Sequence, residues 1–519
     1  MALNWRLCFL LAAVSVFLAA GSASAAAPKD VLVVGVASDP SVLDPAETMD
    51  NYDWRQTYPV YDRLVKYKVI DGLGSTEVEP MAAESWSASD DGKVWTFKIK
   101  PGIKFADGAI LDAEAVKYSF DRMMAMKMGP AGNFDCLESV SLLDPMTVNF
   151  NLKHAFAPFL QLLATNGASI VNPKAASHEK DGDMAKAWLG QNMDGSGPYA
   201  MKEWLHGERL VLEARPDYWG PKPAVKRVIL RTMREASDRR LALEKGDIDI
   251  TEAMLIDQLP ELEKNPNVLV GRYDGQFVEY VYINNAKKPL DDKRVRQALS
   301  YAVDYKGIID HVLQGQGEQM RGPIPRGMWG HNPEAFQYSR DVDKAKALLK
   351  EAGYEKGLTL TLIYSERRAT WEQIATLMQA NFADIGVTLK LEMMANPALR
   401  DRVANKDYDL CLGAWSPDFG DPYMFANLWF GSAFAGMPGN RSFYSNPEVD
   451  RKLRLAAEST RADERLKLYN EVQDQVIEDA AYIYLYQLKA IVPMRKNVKG
   501  FVFNPMLESM YNFESMSKE

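Results

Sequence analysis

The sequence predicts an α/β protein with mixed sheets, and three observations carry that expectation. Helical and strand-like apolar periods alternate over most of the 519 residues, the pattern of layered helix and sheet. Hydrophobic residues make up 47% and charged residues 25%, an ordinary globular balance with ample apolar surface to bury. No fixed-period repeat, low-complexity tract or long Pro/Gly linker interrupts the chain. Its lobes should therefore be joined by short crossings.

The elements follow in order. Val31 to Val36 is short, β-branched and bounded by polar or turn residues, as a buried strand is. Trp95 to Lys100 alternates apolar and polar and ends at the Pro101-Gly102 turn. Asp112 should cap a helix carrying Val116, Phe120, Met123 and Met124 on one face. Ser237 to Lys245 is helical up to Gly246, with Asp247 to Ile250 as a short strand. From Asp291 a helix places Val295, Leu299, Ala302 and Val303 on one stripe. Asp343 can cap a helix that Gly353 ends; Leu358 to Ile363 is then a strand, Trp371 to Ile385 a helix and Val387 to Leu391 a strand.

The N-terminus has a different character. Arg6 precedes an uncharged apolar run from Leu7 to Ala20, followed by Ala23-Ser24-Ala25. That is the layout of a secretory signal peptide, with cleavage expected after Ala25. Cys8 stands at the start of the apolar run and should leave with the leader, so no lipid anchor is expected. No later segment reaches 18 continuous apolar residues, the length a membrane helix needs. Export permits a disulfide, but Cys136 and Cys411 alone make no framework, and Cys411 lies in an apolar run that suits a small buried side chain.

Charge and motifs narrow the chemistry. The formal charge of −9 is spread in mixed-sign clusters with no run of five basic residues, which argues against a nucleic-acid partner. The five histidines, His154, His178, His206, His311 and His331, offer no pair at helical spacing. No P-loop, G-x-G-x-x-G, G-x-S-x-G or H-E-x-x-H pattern occurs. Met123, Met124, Met126 and Met128 could supply thioethers but equally suit core filling. The sequence thus calls for no metal, cofactor or catalytic group.

Several segments carry a specific resemblance. Leu43-Asp44-Pro45 comes early, followed by Met81 to Trp86, Asp90 to Phe97 and Ile103 to Gly108. Gly195-Ser196-Gly197-Pro198-Tyr199, Asp217-Tyr218-Trp219, Gly246-Asp247-Ile248-Asp249, Val295 to Ala302 and Ser445 to Asp450 follow in order. Together these resemble family 5 of the periplasmic solute-binding proteins, the receptors of peptide and nickel ABC importers, and most of all its dipeptide- and oligopeptide-binding branch. The resemblance implies a two-lobe binding-protein fold (type II, cluster C). Lobe I would comprise 28–60, 165–283 and 486–519, with 61–164 inserted as a small domain, and lobe II would run over 284–485. Crossings near Asn284 and Leu485 would act as the hinge.

The resemblance also implies site residues. Asp418, in Trp415-Ser416-Pro417-Asp418-Phe419-Gly420-Asp421-Pro422, matches the position that holds a peptide's α-ammonium, a charge-assisted bond suited to a water-poor cleft. The same acids could instead fix a turn. Arg367 or Arg368 would hold a carboxylate as a bidentate partner. Leu412 stands where the oligopeptide pattern has an arginine, which weakens the case for long peptides. Trp329 would border the pocket, and Trp415, Phe419 and Tyr444 would add aromatic wall.

The resulting expectation is a monomeric periplasmic receptor that binds di- to oligopeptides and delivers them to an ABC permease without chemical turnover. The alternatives are the same role for an oligosaccharide, opine-like conjugate or metal chelate, and, from another class, an exported hydrolase or chaperone.

Overall fold

A computed structural model of the protein describes residues 28–519, so the expected leader and Cys8 lie outside the described residues. Within them, the strand Val31–Val36 forms as expected and pairs in parallel with Arg227–Thr232 on one side and Ile250–Thr251 on the other. It belongs to an eleven-stranded mixed sheet that runs through the whole molecule. From one edge the order is Val387–Met394, Leu358–Ser365, Leu410–Trp415, Val268–Ile283, Tyr482–Arg495, Ile250–Thr251, Val31–Val36, Arg227–Thr232, Arg209–Ala214 and Tyr199–Leu205, with Gly317–Gln319 branching onto Tyr482–Arg495.

Two long antiparallel strands, Val268–Ile283 and Tyr482–Arg495, join the halves of this sheet. Their ladder is interrupted between Asp274 and Val278, where Gly275, Gln276 and Phe277 bulge out of register. A second register shift, between Glu279 and Tyr280, skips Leu485 on the facing strand, and Asn284 follows the last residue of Val268–Ile283. A separate four-stranded antiparallel sheet holds Ala83–Ala88, Val94–Ile99, Thr147–Leu152 and Leu137–Asp144. The helix Ala113–Met126 packs over it with Val116, Phe120 and Met123 buried, and Asp112 caps it by accepting from Ala115 N at 3.0 Å.

Local chemistry shifts several expected boundaries. Asp292 rather than Asp291 caps Lys293–Ala302, accepting from Arg294 N at 2.9 Å. Asp341 caps Val342–Glu351, leaving Asp343 in the first turn, where the helix dipole also favours an acid. The strand expected over Asp247 to Ile250 shrinks to Ile250–Thr251. Asp249 lies outside it because its carboxylate accepts from Val33 N at 2.8 Å, taking the place of a ladder bond. Cys136 and Cys411 are free and buried; burial pushes both thiols up to about 12. Among the described residues no helix is long and apolar enough to cross a membrane.

Candidate functional site

A cavity of about 460 Å³ opens where the two halves of the sheet meet. The bulged Phe277, the strand segment Leu488 to Val492 and the segment Phe501 to Tyr511 form much of its wall. Arg368 enters from the loop after Leu358–Ser365 and Ser416 from the loop after Leu410–Trp415. An inner recess of about 60 Å³ adjoins it, walled by Trp54, Thr165, Asn166, Asp418 and Met506. Asn51, Ser416, Leu507, Glu508 and Met510 border both compartments.

The loop bearing Asp418 is held firmly on both sides. Before it, Leu410–Trp415 pairs with Val278 to Ile283. After it, Phe419 is 2% exposed and packs on Phe156 and Tyr423. The Gly420 amide donates to the Tyr67 hydroxyl at 3.0 Å, and a side chain there would crowd Tyr67 and Thr76. Asp421 caps the short helix Pro422–Met424 and takes both carboxylate oxygens to Arg465 at 2.8 Å, deep in the core. The two acids of this segment therefore divide the roles. Asp421 fixes the backbone, and Asp418 faces the recess.

Among the described residues Asp418 has one polar partner, the Asn133 side-chain amide, which donates to Oδ2 at 3.3 Å. Burial pushes its carboxyl above the usual carboxylate range, and this hydrogen bond only partly opposes that. Nearby, the indole N–H of Trp54 is buried without a partner. The arrangement suits a ligand cation, which would compensate a carboxylate that the protein leaves without a counter-charge.

Arg368 lines the larger compartment. Its guanidinium lies 4.4 Å from the Phe277 ring centroid and 3.3 Å from Glu279 Oε1. Glu279 is itself 1% exposed, accepts from Trp371 Nε1 at 2.7 Å and from the Tyr486 hydroxyl, and is pushed up chiefly by burial. This buried acid and the Phe277 face hold the guanidinium while leaving it half-exposed to the cavity. Arg367 is exposed and lies outside both compartments.

The other four expected residues lie elsewhere. Trp329 lines a separate cavity of about 250 Å³ with Trp95, Thr76 and Gly420, its ring 5.0 Å from the Arg465 guanidinium. Phe419 is the core plug described above. Tyr444 is buried and donates to Asp479 Oδ2 at 2.6 Å. Trp415 lies in its strand with Arg441 5.4 Å over the ring. The cleft instead recruits Trp54, Glu252, Asn504 and Glu508, which no local pattern marks, because they converge from segments up to 450 residues apart in the chain.

Comparison with known proteins places this geometry in a family. The model of the bacterial extracellular solute-binding proteins, family 5, matches residues 77–436. The chain belongs to that family. Family-5 relatives extend the likeness over nearly the full length. A probable D,D-dipeptide-binding periplasmic protein of Escherichia coli is 49% identical over 96% of this chain and 96% of its own. A dipeptide-binding protein of the same organism is 30% identical, with 89% of each chain covered. The ABC transporter-associated periplasmic binding protein DppA of Helicobacter pylori, solved with the peptide STSA, superposes with a TM-score of 0.77 at 29% identity, covering 94% of this chain and 98% of that one. The family-5 fold is the two-lobe periplasmic binding-protein fold, here with mixed sheets.

Proposed function

We propose that this protein is the periplasmic receptor of an ABC importer, capturing short peptides between its lobes and presenting them to an inner-membrane permease without chemical turnover. One observation carries the reading. An acid without a counter-charge, Asp418, and a half-exposed arginine, Arg368, occupy adjoining compartments of one interlobe cleft. A zwitterionic peptide supplies the two opposite charges this arrangement suits. The peptides named for the E. coli relatives and bound in the H. pylori structure support the same class of ligand.

In this reading residues 1–25 are the export signal and the mature receptor acts as a monomer. Lobe I is built from 28–60, 165–283 and 486–519, the inserted domain from 61–164 and lobe II from 284–485. Arg368, not Arg367, holds the peptide carboxylate.

Calorimetry with free, N-acetylated and C-amidated forms of one dipeptide tests the proposal. N-acetylation and Asp418→Asn should each weaken binding about 100-fold, in the range for losing one partner of a buried charged pair. Arg368→Ala should weaken the free dipeptide but not the amidated one. Indifference to both end modifications would overturn the peptide reading.

A further inference from the structure

The charges around the cleft do not balance for a simple zwitterion. Glu252 is offset by Arg55, whose Nη2 lies 2.8 Å from Oε1. Arg368 is offset by Glu279 at 3.3 Å, and Lys489 by Asp274. That leaves two lining acids, Asp418 and Glu508, with no ion pair among the described residues. Glu508 has neither an ion pair nor a hydrogen bond there, although it borders both compartments.

Position sharpens the consequence. A peptide with its ammonium on Asp418 and its carboxylate on Arg368 spans both compartments, and Glu508 borders both. The middle of a peptide carries no charge of its own, so it leaves this carboxylate uncompensated as the lobes exclude water. Burial and the neighbouring Glu252 already push the Glu508 carboxyl up, with Arg368 opposing. A cationic ligand side chain would supply the missing positive charge.

We infer that Glu508 is a specificity-determining residue of the cleft, selecting peptides that carry a second cationic group, such as a lysine-type amine, over neutral ones of the same size. This inference rests on the peptide reading above and adds the ligand's charge. A ligand cation favours the ionised Glu508 carboxylate over its protonated form, so binding of a basic peptide should be accompanied by proton release that grows as pH is lowered.

The test uses the mature chain, unfolded and refolded to remove any carried ligand, with Ala-Lys and Ala-acetyllysine in both L and D forms. The acetylated partner keeps length and end groups and removes only the side-chain charge. The lysine peptide should bind about tenfold or more tightly, as expected for a hydrogen bond to a charged group, and the ratio should fall to about one in Glu508→Gln. Calorimetry of the wild-type protein at mildly acidic pH in two buffers of different ionisation enthalpy should show more proton release for the lysine peptide than for its acetylated partner, since both bring an ammonium to Asp418 and only one brings a second to Glu508; this readout does not depend on the variant folding. Equal affinities, no difference in proton release, or a preference that survives Glu508→Gln overturns the role of Glu508 while leaving peptide binding standing. Failure of every peptide to bind overturns the peptide reading, and this inference with it.

Discussion

As the proposed binding group, Asp418 works against the fold that carries it. Its carboxyl is pushed above its ordinary value of 3.8 chiefly by burial. The folded state therefore favours the protonated form. The stability this supplies is fully present below pH 3.8 and lost as pH rises through the higher folded value. Asparagine keeps the shape and removes the titration. Ligand-free Asp418→Asn should match the wild type in acid and melt at a higher temperature near neutrality, even as it loses peptide. Thermal unfolding between pH 4 and 8 checks this, and a difference that stays flat or shrinks towards neutrality refutes it. Such opposition of stability and activity is common at binding sites. At this scale the sequence pointed to Asp418 and left Arg367 and Arg368 open, because adjacent loop residues point in different directions; in the fold Arg368 packs on Phe277 and Glu279 and lines the cavity, and Arg367 does not.

Elements hold the site through a few buried polar and steric devices. The Asp421–Arg465 pair, 1% and 7% exposed, ties the binding loop to the helix Ala462–Glu478. Asp421→Asn leaves Arg465 buried beside a neutral amide and should destabilise the protein by ~3–5 kcal/mol, measured as a shift in urea midpoint. A loss under 1 kcal/mol would show that the pair is dispensable. Gly195 plays a steric part. The sequence suggests a tight turn for Gly195 to Tyr199, yet the structure shows a close approach instead: an added Cβ would fall 2.1 Å from Val60 O. Gly195→Ala should therefore cost about 1–3 kcal/mol by overpacking, with circular dichroism during denaturation as the readout. Element types were largely legible because periodicity and caps are local. Boundaries slipped where a side chain replaced a backbone bond, as Asp249 does for Val33.

The whole molecule is organised by the two strands that cross between its halves. Their register breaks at Gly275 to Phe277, beside the cleft, and again opposite Leu485, with the Gln487 side-chain amide donating to Gly275 O at 2.6 Å across the first break. A hinge there would let the halves rotate without breaking the outer ladders. Saturating peptide should reduce the radius of gyration in solution scattering and, at a hundred times Kd, stabilise the protein by about 2.7 kcal/mol. Stabilisation without compaction would point to a cleft that does not close.

The sequence alone determined the α/β class, most helices and strands and the resemblance to family 5. Each of these rests on short-range signals: apolar period, capping acids, turn residues, ordered motifs. The tertiary structure decided which side chains meet. It set Trp329 beside a separate cavity, buried Phe419 and Tyr444, gave Asp421 but not Asp418 a buried arginine partner, and brought Trp54, Glu252 and Glu508 to the same cleft. Burial and charge balance are properties of that convergence, set by residues hundreds of positions apart, and no local pattern encodes them.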